Sequence, residues 1–127
     1  MLRLLLFHSD VCGSDRIRDA LSACACDAEL THVRNATGFL AAMEQWRFDA
    51  VLLDYTPWSS EDNAVLALAK QWQPVTPTIA LCAHAAEDHG RTALQEGATD
   101  YVLGDQLARL AATIRRAVAN IESRARA

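Results

Sequence analysis

The feature that most constrains the fold is a regular alternation of short apolar runs with longer segments in which apolar residues recur at helical spacing. The apolar runs have the length of β-strands, and the segments between them show the i, i+3, i+4, i+7 pattern of amphipathic helices. Ser14 is a predicted N-cap of the first helix, Ser59 or Ser60 of the third, and Gly97 fits the left-handed position after the fourth. We predict strands over 2–7, 29–33, 49–53, 77–83 and 100–103, and helices over 14–25, 36–46, 59–72, 87–97 and 105–127.

Strands that alternate with helices through short connections are typical of a doubly wound α/β fold with a parallel sheet. The runs 2–7, 49–53 and 77–83 are almost continuously apolar, which indicates strands buried on both faces. We therefore predict three layers, with helices on both faces of the sheet. A fold of this kind places its functional site at the carboxyl ends of the central strands.

Composition narrows the function classes. The chain has 127 residues and a net charge of −4, so we expect one domain and no nucleic-acid binding, since there is no basic excess to neutralise phosphates. The apolar run of the N-terminus ends at His8, which is too short for a secretory signal or a membrane span. We expect a cytoplasmic protein whose cysteines are thiols, because that compartment keeps them reduced.

Polar or small residues follow four of the predicted strands, at the edge of the sheet where the site is expected. The third strand is followed by Asp54, which is either a working carboxylate or a turn-forming residue. The strand ends that we expect to gather at this edge are His8-Ser9-Asp10, Asp54-Tyr55-Thr56, Cys82-Ala83-His84 and Gly104-Asp105, and we expect Trp58 in the loop beside Asp54.

Three stretches resemble the receiver domain of two-component response regulators (CheY-like): "FDAVLLDY", "TPTIALCAHA" and "LQEGATDYVLGDQLARL". The resemblance spans residues 2 to 121 and implies a flavodoxin-like fold with a five-stranded parallel sheet of order 2-1-3-4-5. It implies a signalling module without enzymatic activity. Residues 1–127 are then expected to form a single receiver-like domain, for which an N-terminal place in a longer signalling protein, or excision from one, is an open option.

In this family the residue at the position of Asp54 accepts a phosphoryl group from a histidine kinase, and Tyr101 matches the aromatic switch position. The chain departs from the family pattern at the residues that assist the transfer. His8 and Ser9 replace the acidic pair that holds Mg²⁺, and Asp10 stands one place further on. Cys82 takes the hydroxyl position and Gly104 the lysine position.

These departures weaken the expected phosphotransfer. A unit charge about 4 Å from the phosphoryl group contributes on the order of 4 kcal/mol at an effective dielectric constant of about 20. Losing one such charge corresponds to roughly a thousandfold in rate. Asp10 and Asp54 remain as candidate metal ligands, so we expect weak Mg²⁺ binding and no other cofactor. The favoured function is an atypical receiver; the alternative is a phospho-accepting receiver that uses Asp54 with weakly bound Mg²⁺.

The residues expected near Asp54 suggest two further hypotheses. His8, if protonated, would form an ion pair with Asp54 and stand in for the missing cations; the alternative is a solvated histidine at the sheet edge. His8, Cys82, His84 and Asp54 also include zinc-ligand types, although a buried, inert Cys82 is the simpler interpretation. Thr56, Trp58 and His84 flank the site, and Trp58 either covers it or contacts a partner.

The resemblance also implies partners. We expect a histidine kinase or a downstream signalling domain to bind, and the face formed by the fourth helix, fifth strand and fifth helix, over residues 87–121, to mediate partner binding or homodimer formation. No nucleic acid and no membrane are expected as partners.

Overall fold

The computed structural model describes residues 2–8, 11–83 and 86–126. Within these ranges no helix combines the length and the apolar character needed to cross a bilayer. The strands are β1 (Leu2–Phe7), β2 (Ala28–Val33), β3 (Ala50–Asp54), β4 (Thr78–Cys82) and β5 (Asp100–Leu103). The helices are α1 (Val11–Ala23), α2 (Ala36–Gln45), α3 (Ser60–Trp72), α4 (Glu87–Gln95) and α5 (Leu110–Arg126), with a 3₁₀ turn at Leu107–Arg109 before α5.

The five strands form one parallel sheet in the order β2-β1-β3-β4-β5, which confirms the predicted fold. In register, Leu5 of β1 lies opposite Thr31 of β2 on one side and Val51 of β3 on the other. Asp54, the last residue of β3, lies opposite Leu81 of β4. The carboxyl ends of β1, β3 and β4 therefore meet at one edge, where the predicted site residues were expected.

Successive residues of the central strands point to opposite faces of the sheet, and both faces are covered. Leu5 and Phe7 pack into a core with residues of α2, α3 and α4. Leu4 and Leu6 pack on the other face with residues of α1 and α5. Burial on both faces explains why these strands are continuously apolar in sequence.

The helix ends follow the predicted signals in two places and depart from them in one. Ser59 caps α3, because its Oγ accepts a hydrogen bond from the Asp62 N–H at 3.2 Å. Gly97 has φ 113°, the left-handed conformation that favours glycine after a helix end. The prediction for Ser14 was wrong: α1 begins earlier, at Val11, and Ser14 is a fully buried residue inside it.

Candidate functional site

An open cavity of about 340 Å³ lies at the carboxyl edge of the sheet. Its walls come from the ends of β1, β3, β4 and β5 and from the first turns of α1. The polar or small residues that line it and bear on its chemistry are His8, Arg16, Asp54, Thr56, Cys82 and Gly104. The topology thus brings together residues from across the chain.

Asp54 and His8 face each other across this cavity. The Nε2 atom of His8 lies 3.8 Å from Oδ2 of Asp54, which is within ion-pair range but longer than a hydrogen bond. The side chain of Asp54 is 41% exposed and that of His8 is 20% exposed. When the imidazole is protonated, it can therefore attract the carboxylate while both side chains keep part of their hydration.

The backbone and a glycine hold His8 in this position. Its N–H donates to the Val33 carbonyl at 3.1 Å, and its carbonyl accepts from Nε2 of His32 at 2.7 Å. The imidazole lies against Gly13 of α1, where an added Cβ would overlap the ring. Glycine at this point of α1 is therefore what allows His8 to occupy the cavity wall.

Two opposing effects act on the Asp54 carboxyl group. Burial raises its pKa above the ordinary value, and the nearby charge of His8 lowers it; the burial effect is larger. A second carboxylate, Asp62, has a pKa raised by burial, and Asp54 raises it further. Asp62 accepts the Thr56 N–H at 2.8 Å and so holds the loop after β3 in place.

The thiol of Cys82 is unreactive at neutral pH. It is 4% exposed, and burial raises the pKa of its thiol to about 11, with the Asp54 charge as the second cause. The thiol therefore stays protonated, whereas metal ligation and nucleophilic attack both require the thiolate. This favours the interpretation of Cys82 as a small buried apolar residue.

The side chain of Arg16, which was not among the predicted site residues, lies beside the end of β5. Arg16 of α1 extends to Gly104, and its guanidinium Nη2 donates to the Gly104 carbonyl at 3.4 Å. Gly104 has no side chain to fill this part of the cavity, so the guanidinium lies where β5 ends. The signal that would have revealed Arg16 is its spacing from Gly13 and Ile17, which puts all three on one face of α1.

Tyr55 and Asn63 organise the loop beside Asp54. Tyr55 was predicted at this strand end without a role, and Asn63 was not predicted there. Tyr55 is 1% exposed, and its hydroxyl donates to Oδ1 of Asn63 at 2.8 Å. The amide of Asn63 donates in turn to the carbonyls of Pro57 at 2.9 Å and Ser59 at 3.0 Å. The side chain of Asn63, in α3, therefore holds the backbone of the loop that follows Asp54.

Trp58 and Tyr101 both contact α4 and do not line the cavity. Trp58 is 77% exposed and makes an edge-to-face contact with His89, with ring centroids 4.9 Å apart. The ring of Tyr101 lies against Gly90, where a side chain would overlap it. The predicted switch role of Tyr101 stays a prediction, and α4 is the element with which such a switch would communicate.

Three of the predicted site residues, Ser9, Asp10 and His84, lie outside the described residues. Among those described, Asp54 is the one carboxylate that lines the cavity, and no group of three or more metal-ligating side chains occurs. Mg²⁺ in proteins takes oxygen ligands, whereas the partner of Asp54 here is an imidazole. The described residues by themselves therefore do not fit a magnesium site.

Comparison with known proteins supports the fold. No protein-family model and no curated protein matches the chain. Solved structures do: a CheY-like receiver domain protein from Methanospirillum hungatei superposes with a TM-score of 0.77 at 21% identity, covering 98% of each chain. The receiver domain of a signal transduction histidine kinase from Syntrophus aciditrophicus gives 0.76 at 17% identity, covering 94% of this chain and 92% of that one.

NtrX from Brucella abortus gives a TM-score of 0.84 at 22% identity, and the match covers 98% of this chain. This chain spans only 28% of the NtrX structure. The chain therefore has the fold of a response regulator receiver domain, and that fold occurs in proteins of different overall length.

Proposed function

We propose that this chain is an atypical receiver, a signalling and protein-interaction module that works without Mg²⁺-dependent phosphorylation and is not an enzyme. The observation that carries this proposal is the imidazole of His8, whose Nε2 lies 3.8 Å from Oδ2 of Asp54. A group that can become cationic occupies the place where the family resemblance puts an acidic metal ligand.

The surroundings of Asp54 support the same conclusion. Gly104 offers a backbone carbonyl where the family has a lysine, and the thiol of Cys82 stays neutral. Mg²⁺ binds through one or two carboxylates together with phosphate and water. With Asp54 as the main ligand, and Asp10 as the second, Mg²⁺ would bind weakly, and we propose no other cofactor.

The alternative function is a receiver that accepts a phosphoryl group on Asp54 with weakly bound Mg²⁺. It is favoured by one observation: Asp54 is 41% exposed and lines a cavity of about 340 Å³, which leaves room for the group. The two functions differ in their dependence on the metal.

For partners, we propose a histidine kinase or a downstream signalling domain, as the structural likeness to receivers in longer proteins suggests. Residues 1–127 would then be one domain of a cytoplasmic signalling protein. The surface of α4, β5 and α5 is the proposed contact, including a homodimer contact. On it, the guanidinium of Arg116 binds Asp100 at 2.7 Å, and Tyr101 packs on Gly90.

A Mg²⁺ titration followed by amide NMR tests the proposed function. We expect no saturable shift at the residues around Asp54 in the wild-type chain at millimolar Mg²⁺. The variant His8→Asp restores an acidic group beside Asp54, so it is expected to bind Mg²⁺ at least about tenfold more tightly. A saturable wild-type response that Asp54→Asn abolishes would overturn the proposal.

A phosphorylation assay with acetyl phosphate complements the Mg²⁺ titration. With Mg²⁺ present, intact-mass measurement is expected to find no stable phosphoryl addition to the wild-type chain. Addition that requires both Mg²⁺ and Asp54 would establish the alternative function instead.

A further inference from the structure

A groove of about 780 Å³ lies at the amino edge of the sheet, opposite the edge that contains Asp54. Its walls are the segments that join α2 to β3 and α3 to β4, together with the last residues of α2 and α3 and two residues of α5. None of the described site residues lines this groove. It is therefore a separate surface from the candidate functional site.

Exposed apolar side chains collect along this groove. Among the described residues, five large apolar side chains are exposed, and three of them line it: Trp46 at 52%, Trp72 at 45% and Val75 at 65%. Single exposed apolar residues are normal on a protein surface, whereas a cluster of them marks a binding surface. The amino edge thus presents two indole rings and an aliphatic side chain in one groove.

Other side chains fix the positions of the two tryptophans. Gln73 directly follows Trp72, and its Nε2 donates to the carbonyl of Trp46 at 2.7 Å. The guanidinium carbon of Arg3 lies 5.1 Å from the centroid of the Trp46 ring. Arg3 lines a smaller cavity of about 170 Å³ and not the groove, so it holds the ring from outside the groove. A ligand would therefore meet aromatic surface that is already ordered, which lowers the entropy cost of binding.

The main-chain groups along the groove already have hydrogen-bond partners. The Phe48 N–H donates to Gln73, and the Phe48 carbonyl accepts from the Thr76 hydroxyl at 3.3 Å. The carbonyls of Met43 and Trp46 accept from the Gln73 amide. A peptide that adds a strand to a sheet needs free main-chain partners. The groove therefore favours a ligand that binds through its side chains.

The ionisable side chains of the groove favour a basic ligand. Glu44, Arg47 and Asp49 line it, so the carboxylates outnumber the cation. The whole chain has a net charge of −4, which adds a weaker attraction for a basic partner.

We propose that this groove binds a proline-rich segment of a partner protein that carries a basic residue. Such segments form a polyproline II helix, which has no internal hydrogen bonds and binds grooves lined by aromatic rings. In this arrangement prolines pack on the indoles of Trp46 and Trp72, and the basic side chain lies near Glu44. The inference goes beyond the proposed function, because it requires neither Asp54 nor Mg²⁺.

The experiment is an NMR titration of the ¹⁵N-labelled chain with a synthetic peptide of one arginine followed by eight prolines, with blocked ends. The indole N–H resonances of Trp46, Trp58 and Trp72 are followed. We expect saturable shifts at Trp46 and Trp72 at peptide concentrations up to a few millimolar. Trp58 follows β3 at the opposite edge, so its resonance is an internal control that should not move.

Tryptophan variants test the aromatic contact. Trp72→Ala is expected to weaken binding at least about tenfold, as for an interface tryptophan, and Trp72→Phe to recover part of that loss. Trp58→Ala removes an indole that is 77% exposed outside the groove, and it should leave the affinity unchanged. Val75→Ser, at an exposed loop position, should weaken binding about threefold and provides a second test if Trp72→Ala does not fold.

Charge variants test the sign of the ligand. Glu44→Gln is expected to weaken binding about threefold and Arg47→Gln to tighten it by about the same factor, the size expected for exposed charges. The opposite pair of signs would show that the groove prefers an acidic ligand and would overturn the inference.

Three further results would also overturn it. One is the absence of a saturable shift at Trp46 and Trp72. Another is equal affinity for a peptide in which glycine and serine replace the prolines, because the polyproline conformation would then not be recognised. The third is a concentration-dependent shift of both indoles without peptide, which Trp72→Ala removes, because a second copy of the chain would then cover the groove. None of these results affects the proposed function, which is tested at Asp54 with Mg²⁺.

Discussion

The two edges of the sheet carry polar groups of very different kinds. At the amino edge, Gln73 is 9% exposed and hydrogen-bonds the segments before β3 and β4. Its Nε2 donates to the carbonyls of Met43 at 3.2 Å and Trp46 at 2.7 Å. Its Oε1 accepts from the Phe48 N–H at 3.2 Å and the Thr76 hydroxyl at 3.2 Å. The amide nitrogen therefore donates two hydrogen bonds and the amide oxygen accepts two.

At the carboxyl edge, the polar groups are ionisable side chains rather than an amide. His8 and Asp54 are 3.8 Å apart, and burial raises the pKa of both Asp54 and Cys82. A raised acid pKa means that the folded state disfavours the charged form. The comparison teaches that the amino edge contributes to stability, whereas the carboxyl edge holds a charged group, Asp54, whose partial burial costs stability and whose carboxylate stays 41% exposed to a ligand or partner.

The largest effect is expected at the amino edge. Gln73→Ala leaves the Phe48 N–H and the carbonyls of Met43 and Trp46 without this partner, so the free energy of unfolding should fall by about 2–4 kcal/mol. Urea unfolding measures it. Gln71→Ala, at an exposed position in the last turn of α3 and two residues before Gln73, is the control and should change stability by less than about 0.5 kcal/mol. Equal effects of the two variants would break the comparison.

Cys82 should make stability depend on alkaline pH. Its thiol has a pKa of about 11 in the folded chain and 9.0 as the ordinary value, so between these values the folded state binds more protons than the unfolded state. The free energy of unfolding must then fall as the pH rises from about 9 to 11. The measurement is the difference between wild type and Cys82→Ala across that range, because other groups titrate in both. A constant difference would contradict the burial of the thiol.

The smallest effect is expected at Asp54, and it has the opposite sign to that at Gln73. Burial raises the pKa of Asp54 despite the opposing charge of His8, so above pH 3.8 the folded state loses stability as the pH rises through the raised pKa. Asp54→Asn removes the charge and should raise the free energy of unfolding at pH 7. The gain should stay below about 1 kcal/mol because 41% of the side chain is exposed and solvent screens the charge. A loss of stability would show that the ion pair with His8 dominates.

The strands and helices could be predicted because the signals for them are local or repeated, whereas the sheet order was predicted from the family resemblance. The apolar runs of β1, β3 and β4 and the cap at Ser59 were readable within a few residues. The beginning of α1 was missed because Ser14 has the residue type of an N-cap but is buried inside the helix. Local propensity indicated a boundary there, but the helix begins three residues earlier, at Val11.

The sequence predicted that certain strand-end residues would lie together, but not which other residues would surround them. Asp54, Thr56, Cys82 and Gly104 were placed at one edge by the strand pattern, and the structure puts them in one cavity. The hydrogen bond between Tyr55, in the loop after β3, and Asn63 of α3 was not predicted, because such a contact leaves no periodic signal.

The sequence by itself determined the parallel sheet, its two covered faces and the edge at which polar groups collect, because each depends on a hydrophobic period. The proximity of His8 to Asp54 was already a hypothesis from the sequence, but the tertiary structure decided their distance and brought Arg16 to the same edge. Arg16 reaches Gly104 across 88 positions of the chain, and His8 meets Asp54 because Gly13 leaves room for its ring. Such distances depend on how α1 packs on the sheet, which no local pattern records.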